Sequence, residues 1–184
     1  MIIIRRQSPY LADVSKLIQE LDEFQSKMYP SSDEYHDPIE LLDQDNCYFV
    51  SASIISHDQN TKQSLCGIGA VKIINTENLD LELELELDTE IVLKTKLNES
   101  HQSYGELKRI YVPPEFRGHG IAKKIIQNLE QHLVSQNIFV ARLETGIYHL
   151  EAISLYQKLG YQKISRFGKY WDNPLSVFME KNLN

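Results

Sequence analysis

The sequence predicts a mixed α/β fold, a strongly twisted sheet flanked by helices, and three stretches carry that expectation. Residues 106–112 alternate in the manner of a strand, and Pro113-Pro114 ends its ladder because neither residue has an N–H to donate. Gly118 and Gly120 follow, and then 121–136 sets Ile121, Ile125, Leu129, Leu133 and Val134 on one face at helical spacing. Residues 138–145 read as another strand, so strand, helix and strand form a crossover unit whose two strands are parallel neighbours. Apolar runs at 47–55 and 65–74, joined by the polar turn 56–64, read instead as an antiparallel hairpin, which makes the sheet mixed.

The other elements follow in chain order. Residues 2–6 form a short first strand. Ser8 stands where it can cap a helix and Pro9 suits a first turn, after which Leu11, Val14, Leu17, Ile18, Leu21 and Phe24 continue at helical spacing to about Met28. The polar connection 29–36 carries Tyr29, Glu34, Tyr35 and His36; it reads either as a plain loop or as one that lines a substrate. A short helix is expected at 38–42. Gly67 and Gly69 lie inside the second hairpin strand, where glycine marks a bulge or close packing. Residues 79–87 alternate leucine with acid at strict period two, and Asp88-Thr89 turns them into 91–97, so an additional β-hairpin is expected around 79–97. Its Glu82, Glu84 and Glu86 form a wet face that Lys94 and Lys96 can pair across the ladder. A last helix at 150–159 is ended by Gly160, and strands at 161–165 and 176–180 close the chain around the aromatic loop 167–174.

Composition narrows the function classes. A chain of 184 residues with 42% hydrophobic and 24% charged side chains suits a single domain, 1–184, with a sizeable core. No apolar run has the length to cross a bilayer, and the N-terminal MIIIRR is too short for a secretory signal, so no membrane role and a cytoplasmic setting are the expectations. The net charge of −7 and the lack of a basic cluster argue against a nucleic-acid partner and favour a cationic substrate such as an amine. Cys47 and Cys66 fall in predicted strands without metal spacing and read as small buried hydrophobes. The six histidines show no ligand spacing either, so no metal is expected.

The chemistry gathers at the glycine turn. Helix N-termini present N–H groups without carbonyl partners at the positive end of the helix dipole, which suits a phosphate or pyrophosphate. Glycines let an anion approach the backbone, and Arg117 adds charge. Arg117, Gly120 and Ala122 also meet a signature of Arg or Gln, two residues, Gly, one residue, then Gly or Ala, with Gly118 as an extra glycine. Ala152, Leu155, Tyr156, Lys158, Gly160 and Tyr161 meet a second one nearer the C-terminus. On these two motifs, in this order and on a predicted helix and strand, the chain resembles the GNAT superfamily of acyl-CoA-dependent N-acetyltransferases.

The resemblance implies a set of roles. The pyrophosphate of acetyl-CoA would be held by backbone N–H groups of Arg117, Gly118, His119, Gly120, Ile121 and Ala122, and its pantetheine arm and thioester by main-chain groups of Ile110, Tyr111 and Val112. A primary amine, of a small cationic molecule, would attack the thioester directly. Tyr156 is expected to be the acid for the leaving thiolate. Glu106, four residues before Ile110 and taken to share its strand face, leads as the base, with Glu144, Glu34 or a water chain as rivals. His149 stands where many members carry an Asn, three residues before Ala152, and would hold the same water or cap the helix. Tyr29, Glu34, Tyr35 and His36, with Tyr170 and Trp171, would line the amine side. Transfer to a protein lysine or N-terminal amine, or a non-catalytic acyl-CoA sensor, are the alternative readings. The 79–97 hairpin departs from the family and is expected to project as a homodimer contact or as a wall beside the acceptor.

Overall fold

A computed structural model describes residues 1–29, 38–55, 63–76, 103–168, 170 and 173–183. The expected 79–97 hairpin, together with Glu34, Tyr35, His36 and Trp171, lies outside the described residues. Seven strands among those described make one sheet: β1 (Ile2–Arg6), β2 (Cys47–Ile55), β3 (Gln63–Ile74), β4 (Tyr104–Tyr111), β5 (Val140–Gly146), β6 (Gln162–Ile164) and β7 (Ser176–Asn182). Their order across the sheet is β1-β2-β3-β4-β5-β7-β6, and β4 and β5 are the parallel pair, as the crossover requires. The other neighbours run antiparallel.

Helices cover both faces. On one, α1 (Ala12–Ser26) and α2 (Ile39–Leu42) pack Val14, Leu17, Ile18, Leu21 and Leu42 against Phe49, Ile68, Ala70 and Tyr111. On the other, α3 (Ile121–Ser135) and α4 (Leu150–Lys158) pack over Val50, Val71, Leu107 and Leu143. The glycines of β3 explain how closely α3 sits: a Cβ at Gly69 would lie 2.5 Å from Ile125 Cγ2, and one at Gly67 3.0 Å from Ile125 Cδ1. A register shift at Ala52/Ser53, opposite Gly67, supplies the bulge as well. Cys47 and Cys66 are both buried free thiols.

Two local expectations need correction. The first helix begins at Ala12 rather than beside Ser8: Ser8 Oγ accepts the Tyr10 N–H at 3.3 Å within a turn, and Leu11 precedes the helix without a side-chain cap. On α3, Ile126 is buried and Val134 is 40% exposed, so the apolar face turns slightly away from the one expected. No helix among the described residues is long and apolar enough to cross a membrane.

Candidate active site

The site begins where the parallel pair comes apart. Pairing of β4 with β5 is confined to Gly105–Ala141, Glu106–Arg142 and Leu107–Leu143. Beyond it, Arg109 takes φ 56 and the β3 register slips, with Ala70 opposite Lys108 but Ile68 opposite Tyr111. This bulge bends the strand away from β5 and reverses its facing. Lys108 lies opposite Ala70, on the α1 side, whereas Ile110 reaches the α3 side, its Cδ1 2.7 Å from where a Gly69 Cβ would stand. Glu106 and Ile110 therefore face opposite ways, contrary to the expectation that they share a face. The gap between the strands is a cleft of about 670 Å³, lined from one side by Leu21 and Phe24 of α1 and by Met28 just past its end, and from the other by Ile121, Leu155 and Tyr156.

One rim is the glycine turn. A 3-10 turn, Pro114–Phe116, leads into it, and Gly118 and Gly120 take φ 79 and 74, where a side chain would be strained. Nothing lies within 4 Å of a Cβ built on either, so the turn is open on its outer side. Within α3 the bond from Lys124 N to the Gly120 carbonyl measures 3.1 Å, and the N–H groups before it have no helical carbonyl to meet. Arg117 sits beside this cradle rather than across it: its Nε donates to the Val112 carbonyl at 3.1 Å and its guanidinium lies 5.5 Å from the Phe24 ring centre. His119 turns its Nδ1 back to the carbonyls of Arg117 at 2.9 Å and Phe116 at 3.2 Å. The main chain of Ile110, Tyr111 and Val112 continues the cleft wall, and Ile121 and Ala122 close the turn.

The α1 side of the cleft holds the carboxylates. Glu106 is 7% exposed; its Oε1 accepts the Tyr170 hydroxyl at 2.5 Å and the Lys108 ammonium at 3.0 Å. Lys108 and Tyr170 line the cleft, and Glu106 lies behind them. Glu144, on the neighbouring strand, does line it. Burial pushes the Glu144 carboxyl above its ordinary 4.5; the Glu106 charge adds to this, while a Ser176 hydrogen bond and Lys108 oppose it. Lys108 went unnoticed in the sequence, although its place two residues after Glu106 on a strand was the available signal.

From the opposite side comes Tyr156, 6% exposed, with its ring edge-on to Tyr161 at 5.5 Å. Burial, and then the Glu144 charge, raise its pKa far above the ordinary 10, so the phenol is protonated. His149 precedes α4 without making a side-chain cap bond, which sets aside the capping role. Burial, and then Arg117, lower its pKa, so the imidazole is neutral. Its Nε2 is buried without a hydrogen-bond partner in the protein, between the rings of Phe24 at 5.6 Å and Tyr29 at 5.4 Å. Tyr29 covers Gly146, where a Cβ would strike its ring, and its hydroxyl accepts the Tyr148 N–H at 2.9 Å. The cleft thus brings together most of the sequence-predicted site residues that are described, but its lining leaves out His119, Tyr29 and Glu106, the last one layer behind its wall. Among the described residues no group of acidic, histidine and cysteine side chains forms a metal site.

Known proteins share this fold. Residues 13–161 match the model of the Acetyltransferase (GNAT) family. The chain is 30% identical over 182 residues to an IAA acetyltransferase of Azospirillum brasilense, covering 99% of this chain and 98% of that one. A Klebsiella pneumoniae structure assigned to the acyl-CoA N-acyltransferases is 29% identical with TM-score 0.64, over 100% of this chain and 99% of the other. Arabidopsis thaliana NAA60, solved in complex with acetyl-CoA, shares the fold at 15% identity and TM-score 0.61, over 99% of this chain and 98% of its own.

Proposed function

The chain belongs to the GNAT family of acetyltransferases, and from that premise we propose that it moves an acetyl group from acetyl-CoA to the primary amine of a small cationic molecule by direct attack. The observation that carries this reading is the cleft between diverging β4 and β5, with an open glycine cradle on one rim and a buried phenol and carboxyl facing each other inside. The residues fit the cosubstrate: Gly118 and Gly120 leave room for a pyrophosphate, and the buried, unpartnered His149 Nε2 awaits a donor from a ligand. When bound, acetyl-CoA supplies the thioester carbonyl and the thiol leaving group.

The chain's own groups then divide the work. N–H groups from Gly118 to Ala122 bind the diphosphate, and the main chain of Ile110 to Val112 orients the acyl arm along β4. His149, neutral, accepts a hydrogen bond at Nε2 from the arm or from a bridging water. Glu144 takes a proton from the incoming ammonium, because it reaches the cleft and its raised pKa makes it a stronger base than an ordinary carboxylate. Glu106 acts one layer back: it holds Lys108 and Tyr170 in place on the acceptor wall. Tyr156 donates from its hydroxyl as charge develops on sulfur. A model thiol titrates near about 8.5, well below this phenol, so the phenol stabilises the thiolate by hydrogen bonding rather than by early proton release. Tyr170 offers its ring, and Glu144 a charge, to a cationic amine.

Thiol release measured across a panel of small amines, amino acids and peptide N-termini tests the reading. Wild-type protein is expected to turn over a small cationic amine best, and Tyr156→Phe to lose about 100-fold in kcat while still binding acetyl-CoA. Binding of acetyl-CoA without turnover on any amine would leave a sensor as the answer; preference for peptides would move the acceptor to protein.

A further inference from the structure

We propose that Arg109 and Asp22 are positioning residues for this reaction: their ion pair latches the bulge of β4 to α1 and so aims the main chain of Ile110 to Val112 into the cleft. The inference rests on the acetyl-transfer reading. Arg109 is the single residue by which β4 is too long for β3, and it takes φ 56, a conformation that costs a side-chain-bearing residue free energy. The two residues after it are fixed by packing on opposite faces of the sheet, Ile110 against Gly69 and Ile125, and Tyr111 against the α1 core. Packing explains the reversal of facing, but it does not explain why an arginine rather than a glycine or asparagine stands at the left-handed position.

The side chain supplies the reason. It is 8% exposed and its Nη1 is paired with Asp22 Oδ1 on α1. A buried guanidinium costs much to strip of its carboxylate, so the pair holds the residue in one place and the strained backbone with it. The same contact ties the strand to α1, whose Leu21 and Phe24 line the cleft, so the cosubstrate wall and that helix share one anchor. Strain held by surrounding structure at a site where the main chain must be aimed is a recurring use of such outliers.

Glycine adopts the left-handed conformation without strain and alanine does not, so two substitutions at one position separate the latch from the charge. Arg109→Ala is expected to turn over about tenfold more slowly than Arg109→Gly, the size of the left-handed penalty, with little change in KM for acetyl-CoA because the phosphate cradle lies elsewhere. Asp22→Asn is expected to lose turnover too, and adding Arg109→Gly to it should recover most of that loss. Rates are normalised to acetyl-CoA binding stoichiometry, so a merely unstable variant does not mimic the effect. Equal rates for the Ala and Gly variants, or full turnover in Asp22→Asn, would overturn the latch. If wild-type protein acetylates no amine, the functional reading has failed. The latch is then judged by amide hydrogen exchange at residues 109–112, expected to quicken in Asp22→Asn and, if unchanged, refuting it.

Discussion

Glu106 and Glu144 sit on adjacent strands with opposite surroundings, and the difference decides which can work as a base. Glu106 is held by an ammonium and a phenol, whereas Glu144 faces the cleft with burial favouring its neutral form. A base must be deprotonated, so activity should rise with pH through a value above the ordinary 4.5, and Glu144→Gln should abolish that limb and lower kcat/KM by about 100-fold. The sign for stability is opposite. The folded state holds the Glu144 proton more tightly than the unfolded chain, so stability is fullest below the ordinary carboxylate value and declines as pH rises through the raised one. Glu144→Gln should therefore melt higher than wild type at neutral pH; a variant that keeps the acid limb or melts lower would contradict this account. Both carboxylates were visible in the sequence. Their surroundings were not, because Tyr170 meets Glu106 from 64 residues away, a contact that no local pattern records.

At the scale of elements, the strand, turn and helix from β4 to α3 were legible because each break has a local cause: two prolines, two glycines and a helical apolar stripe. The bulge at Arg109 was not, since nothing in the residue type announces a left-handed arginine, and the inferred facing of Ile110 failed for that reason. The late start of α1 is similar: Ser8 has the chemistry of a cap, but it spends its hydroxyl on the Tyr10 N–H. The glycine turn makes its own prediction. Gly120 has φ 74 and open space beyond it, so Gly120→Ala adds about 1 kcal/mol of backbone strain and places a methyl where the diphosphate would lie. Calorimetry should show acetyl-CoA affinity falling at least tenfold, with kcat at saturation nearly kept. An unchanged affinity would mean that the turn does not hold the phosphates.

Across the whole molecule, the cleft is also a line of weakness in the sheet. β4 and β5 pair at three positions, and past them the open gap separates the half made of α1 and the β1–β4 strands from the half made of β5, β6, β7 and α4. Elsewhere the halves are bridged by the Tyr170–Glu106 and Tyr148–Tyr29 hydrogen bonds and by α3, whose Glu130 accepts the Tyr161 hydroxyl at 3.0 Å and the Lys181 ammonium at 2.9 Å, tying the helix to the chain that follows α4 and to β7. A ligand that fills the gap touches both halves at once, so its binding energy adds directly to the stability of the folded state. At about 100 times Kd, acetyl-CoA should contribute about 2.7 kcal/mol and raise Tm by about 5–10 °C for a chain of this size. Gly120→Ala should show a smaller rise at the same concentration, while Tyr156→Phe, whose hydroxyl serves the leaving sulfur, should keep the full one. If acetyl-CoA leaves the melting curve of wild-type protein unmoved, the gap between β4 and β5 is not its binding site.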